Sequence, residues 1–141
     1  MKKAIHDYKE MTEFCRYFEQ QRPSLFRIAG ITPEVFASEE PVSAEVLKDI
    51  HMPVKDREAF YTYLAYKEQI YLLLHGIDTI PEERTKQVAA DLILSGCSRE
   101  EVMEKYGISL STVIRDKRSA VNHIGIEVDE YMKWKVKQLY I

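Results

Sequence analysis

The side chains whose types and spacing suit a chemical task here are Ser109, Ser111, Thr112, Arg115, Lys117, Arg118, Ser119 and Asn122. Short hydroxyls come first; guanidinium, ammonium and amide groups follow one and two helical turns later. On a helix, Ser111, Thr112, Arg115, Arg118, Ser119 and Asn122 gather on one side, because residues three and four apart are neighbours. Hydroxyls and free backbone N–H groups at a helix start bond phosphate oxygens, while Arg and Asn match base edges in a major groove. The chemistry implied is recognition by hydrogen bond and charge, with no covalent step. The bland account of the same residues is a solvated helix face.

Such a face needs a support, and Ser98 to Gly125 reads as two helices broken by a three-residue turn. Ser98 N-caps the first helix, and Glu101 three residues on completes a capping box. Gly107 takes the left-handed conformation that stops it, Ile108 plugs inward, and Ser109 is the N-cap of the next helix. Leu110, Val113, Ile114, Ala120, Val121 and Ile124 form the core side of that second helix, with Lys117 the one polar intruder. Upstream, Thr79 and Glu82 offer a capping box for a helix running to Ser95 and stopped by Gly96. Val88, Ala89, Leu92 and Ile93 are its core face. A trihelical unit results.

The run G-I-S-L-S-T-V-I-R at 107–115 resembles the turn and recognition helix of bacterial helix-turn-helix regulators, with matches at Gly107, Ile108, Ser109, Thr112, Val113 and Arg115. Four residues before the turn glycine those regulators usually carry alanine. Here it is Met103, whose bulk would hold the two helices slightly farther apart. With E-R-T at 83–85, the stretch 80–125 also resembles, distantly, the small sporulation regulators and DeoR-type domains. By size and motif position the chain is similar to short phage-encoded late transcription regulators and to sigma factor region four. The resemblance implies a bacterial or phage transcriptional regulator that binds double-stranded DNA sequence-specifically and carries no catalysis. A homodimer is expected, with RNA polymerase or another regulatory protein as a further partner.

The 141 residues permit one compact domain or two small ones, read here as 1–77, a helical dimerisation or partner-binding region, and 78–141, the helix-turn-helix region with a C-terminal helix. Lys plus Arg number 20 against 23 Asp plus Glu, a formal charge of -3, unlike the basic balance of proteins that coat nucleic acid. Residues 1–76 hold 10 basic and 12 acidic side chains and residues 77–141 hold 10 and 11, so neither half is basic. Within 109–124, however, Arg115, Lys117 and Arg118 face only one acid, Asp116, so the positive potential is local. Affinity then depends on dimer formation or a partner.

Cys15 and Cys97 stand far apart without a C-x-x-C pair or ligand histidines, which points to neither zinc nor a disulfide framework. His6, His51, His75 and His123 are isolated in sequence, and there is no glycine-rich phosphate loop, so no enzyme signature or cofactor site emerges. No stretch approaches the ~18 apolar residues of a membrane span, and no apolar leader follows Lys2 and Lys3. A cytoplasmic location is expected.

Elsewhere the pattern is helical throughout, giving an all-α fold of four main helices and several short ones. Ile5, Tyr8, Met11, Cys15 and Phe18 stripe a first helix over 5–20, ended by Pro23. Thr32 with Pro33 starts one short helical turn and Ser43 another to about Ile50, a segment expected to fold over the first helix. After Pro53 comes one long helix stopped by Gly76, with Phe60, Tyr63, Leu64, Ile70, Tyr71 and Leu74 as its core stripe and Tyr61, Tyr66, Leu72 and Leu73 off it. Its apolar excess suggests burial on several sides, or a tyrosine-rich dimer surface. Beyond Gly125 the tail fits a helix or an alternating strand; Asp129 and Glu130 before the lysines favour a helix, its Trp134 docked on the domain.

Two further readings stay open. In one, the turn and its helices are only a folding unit in a protein-interaction module that binds a host factor or RNA polymerase. In the other, the chain is a small terminase-like DNA-packaging adaptor.

Overall fold

The computed structural model describes residues 2–21 and 51–139, and these are all-helical. Five helices follow in order: α1 (Lys2–Gln21), α2 (Val54–Asp78), α3 (Glu83–Ala89, continued by a π-turn over Ala90–Leu94), α4 (Arg99–Tyr106) and α5 (Leu110–Leu139). The short helices expected at Thr32 and Ser43, the ending at Pro23 and the folding of that segment over α1 lie outside the described residues.

Two compact units emerge, one of Lys9–Tyr71 and one of Met1–Tyr8 with Leu72–Ile141. In the first, the stripe Met11, Cys15 and Phe18 is buried as its three- and four-residue spacing requires. Phe18 stacks on Tyr63 at 4.7 Å and meets Phe60 edge-on at 5.5 Å, and Phe14 meets Tyr66 edge-on at 5.2 Å. The Tyr63 hydroxyl leaves this apolar cluster by donating to Glu19 Oε1 at 2.7 Å. Each aromatic contact adds about 0.5–1.5 kcal/mol to the burial of its rings.

The second unit has two clusters. Leu73, Ile77, Ile80, Ala89, Ile93, Ala120 and Ile124 form one, flanked by Ile5 and Tyr8. Val88, Val102 and Val113, one from each of α3, α4 and α5, form the other. Burying these three valines contributes about 1.5–3 kcal/mol each. They join the three helices of the trihelical unit, in which α5 packs on both α3 and α4.

Several expectations are corrected. Gly76 does not stop α2, which runs on to Asp78. It is instead a close-approach residue, since a Cβ there would lie 3.1 Å from Ile124 Cγ1 and 3.3 Å from Ile124 Cα. Leu72 and Leu73, placed off the core stripe, are buried, whereas Ile70, Tyr71 and Leu74 are only half-buried. The C-terminal end of α2 is apolar nearly all round, and the side that wins is the one facing Ala120 and Ile124.

The Thr79–Glu82 capping box does not form either. Glu82 is the N-cap of α3 without a side-chain bond, and Thr79 Oγ1 donates to the Gly76 carbonyl at 3.3 Å. The helix from Glu83 is not regular to Ser95, because at Ala90 it widens and Ser95 N–H reaches back to Ala90 O, one residue farther than an α-helix would.

The largest correction concerns Gly125, where two helices were expected. Helix α5 passes straight through it as 30 residues, helix being the right choice for the tail. Trp134 does not dock on the domain: it is 57% exposed, and its ring lies beside that of Tyr131 with the centroids 6.0 Å apart.

Candidate nucleic-acid interface

The turn that delivers α5 is built by local hydrogen bonds. Glu101 N–H donates to Ser98 Oγ at 3.1 Å and Ser98 N–H donates to Glu101 Oε1 at 3.3 Å, which satisfies two donors at the start of α4. Gly107 then adopts φ 62°, ψ 39°, a left-handed conformation costly for any residue with a Cβ. Ile108 N–H donates to Met103 O at 3.1 Å, and the Ile108 side chain is half-buried against the valine cluster. Ser109 caps α5, accepting from Thr112 N–H at 3.3 Å.

Asp116, the acid counted against the positive charges of this helix, turns inward. It is 3% exposed, and accepts from Arg84 Nε at 3.0 Å and Nη2 at 3.2 Å and from Thr85 Oγ1 at 3.4 Å. A two-pronged guanidinium–carboxylate contact fixes direction as well as distance, so Asp116 sets the roll of α5 against α3. On α5, Asp116 and not the half-buried Lys117 is therefore the polar group turned into the core, beside the buried Thr85 of α3. Sequence reasoning missed this, although its partners sit in the E-R-T run noted for another reason.

A second clasp joins α4 to the π-turn. Asp91 Oδ2 accepts from Tyr106 Oη at 2.5 Å and from Lys105 Nζ at 3.0 Å. The tyrosine hydrogen bond first, then the lysine, hold the Asp91 carboxyl below the usual carboxylate range against the opposing effect of burial. The π-turn carries Asp91, and its backbone carbonyl also accepts from Cys97 N–H at 2.9 Å.

With Asp116 turned in, Ser111, Arg115, Arg118, Ser119 and Asn122 are all exposed, and Thr112 is half-buried beside them. Ser109 Oγ lies 3.0 Å from both Ser111 Oγ and Thr112 Oγ1, so the three hydroxyls form one cluster over the first turn of α5. Arg115 and Arg118 enter no ion pair among the described residues, whereas Arg84, Lys86 and Lys105 are each engaged with an acid. The face is thus positively charged with no acid of its own. Three core positions differ from expectation: Leu110 is 44% exposed and Ile114 and Val121 are half-buried, whereas Val113, Ala120 and Ile124 are buried.

Among the described residues, His123 and Cys15 each have a structural environment of their own. His123 Nε2 lies 2.9 Å from Thr79 Oγ1 and 3.7 Å from Glu127 Oε1. Both partners meet the same ring nitrogen, while a hydroxyl–imidazole–carboxylate relay needs one on each. His123, isolated in sequence, is a clasp between the α2 end and α5. Burial pushes the Cys15 thiol up to about 12, away from the thiolate that nucleophilic chemistry requires. Among the described residues no group of three or more His, Cys, Asp and Glu side chains is disposed to hold a metal, and no helix is long and apolar enough to cross a membrane. No family model, curated protein or solved structure matches this chain.

Proposed function

We propose that this chain is a non-enzymatic transcriptional regulator, of the kind bacteria and phages encode, which binds double-stranded DNA sequence-specifically in the cytoplasm through the start of α5. The observation that carries the reading is the separation of charges on that helix. Asp116 is occupied by Arg84 and Thr85 inside, and Arg115 and Arg118 stand outside beside Ser111, Ser119 and Asn122. The left-handed Gly107 and the Ser109 cap support it, since they give the abrupt change of direction from one helix to the next.

In this reading the Ser109, Ser111 and Thr112 hydroxyls and the first N–H groups of α5 bond phosphate. Arg115 reads a guanine edge, Arg118 contacts backbone, and Ser119, Asn122 and the Lys117 stem border the contact. The net charge of -3 favours one rival, a protein-interaction module in which the same helices bind a host factor or RNA polymerase. A DNA-binding selection from a random duplex library, followed by titration in a salt series, separates them. Enrichment of a site with salt-dependent affinity supports the regulator; no duplex affinity at any salt leaves the interaction module.

A further inference from the structure

The side chains that meet DNA in the proposed reading hang from α5, but the contact that fixes their direction is made by α3. The buried side of α5 runs Val113, Asp116, Ala120 and Ile124, at spacings of three, four and four. Three of these are apolar, and apolar burial is non-directional, so it holds a helix against its neighbours more firmly than it fixes rotation about the axis. Asp116 is different. Its Oδ2 accepts from Arg84 Nε at 3.0 Å and its Oδ1 from Arg84 Nη2 at 3.2 Å, and Oδ1 also accepts from the buried Thr85 hydroxyl at 3.4 Å. A planar fork on a planar acceptor tolerates little rotation. Glu82 Oε1 lies 3.5 Å from the same Nη2, a further acid that turns phosphate away from Arg84.

Arg115 directly precedes Asp116, so any roll of the helix at one is carried to the other. A roll of ~10° moves a side-chain tip ~6 Å from the helix axis by ~1 Å. That is enough to break a bidentate bond to a base edge, whose donor–acceptor distance has a window of about 0.5 Å. Attraction to phosphate falls only as the inverse of distance and changes far less. We propose that Arg84 is a positioning residue for DNA reading: acting through Asp116, it fixes the roll of α5 at which Arg115 meets a base edge. This role rests on the DNA-binding reading of α5 and adds to it a residue on another helix that sets sequence preference without touching the duplex.

The full chain as wild type, Arg84→Lys and Asp116→Asn, each checked for folding by circular dichroism and urea unfolding, is titrated against a selected and a random duplex. Lysine keeps the charge and loses the fork. Arg84→Lys is expected to lower the selected-to-random affinity ratio by about fivefold or more, the low end of what one bidentate base contact contributes, with random-duplex affinity and its salt slope as in wild type. Asp116→Asn should lower the ratio likewise. In an Arg115→Ala background, Arg84→Lys should lower it no further, because nothing is left to position. A pair that only stabilised the fold would leave the ratio of the folded variants unchanged, and that result overturns the proposal while DNA binding itself stands. Equal weakening on both duplexes also overturns it, since Arg84 would then meet phosphate itself. A wild type with no affinity for any duplex removes the DNA-binding reading and this role with it.

Discussion

Asp116 shows how one side chain decides what a helix presents. Read from the sequence, it sits among Arg115, Lys117 and Arg118 and offsets them; folded, it belongs to Arg84 and Thr85. Replacing it with alanine leaves the buried Thr85 hydroxyl and a guanidinium without their acceptor. Asp116→Ala should therefore destabilise the protein by about 1–3 kcal/mol in urea unfolding, well above the cost of an exposed substitution such as Ser119→Ala. Asp91 makes a different prediction, because its carboxyl is held low chiefly by the Tyr106 hydroxyl and then by Lys105. A depressed folded pKa means that this stabilisation is fully present above the unfolded value near ~3.9 and is lost as pH falls through the folded one. Acid titration of wild type and Asp91→Asn should show the wild type losing stability more steeply below about pH 4, with the curves running parallel at neutral pH.

At the scale of elements, what was legible was local. The Ser98 capping box, the Gly107 stop and the Ser109 cap each depend on atoms within four residues, and each stands as the sequence implied. The all-α class was legible for the same reason: apolar residues recur at three and four from Ile5 to Phe18 and from Val113 to Ile124. What was not legible was set by partners distant in sequence. Gly76 looks like a helix stop until Ile124 approaches it, and Thr79 looks like a cap until its hydroxyl engages the Gly76 carbonyl and the His123 ring. Gly125 breaks nothing, because helix on both sides propagates through a single unfavourable residue. The turn itself can be tested directly. Gly107→Val places a β-branched side chain at φ 62° and should lower stability by more than ~1 kcal/mol, whereas Lys105→Val, in the regular helix just before, lacks that backbone penalty. Unchanged melting of Gly107→Val would mean that the helix break lies elsewhere.

For the whole molecule, a charge of -3 must be reconciled with a polyanionic ligand. The reconciliation offered is local: acids are drawn into pairs with Arg84, Lys86 and Lys105, leaving Arg115 and Arg118 at one exposed face. Few phosphate contacts should then be made, so the logarithm of affinity should fall with the logarithm of salt by a shallow slope, and Arg118→Ala should flatten it further for all sequences alike. Arg115→Ala should act differently, costing about 1–3 kcal/mol on a selected site and much less on random duplex, with unfolding unchanged. The most direct measurement is therefore an anisotropy titration of wild type and Arg115→Ala against a selected duplex and a random one across a salt series. Salt-dependent binding, with discrimination between the duplexes that Arg115→Ala abolishes, is the predicted result. Absence of duplex affinity in the wild type, or equal discrimination by the variant, would contradict the reading of α5 as a DNA-recognition helix.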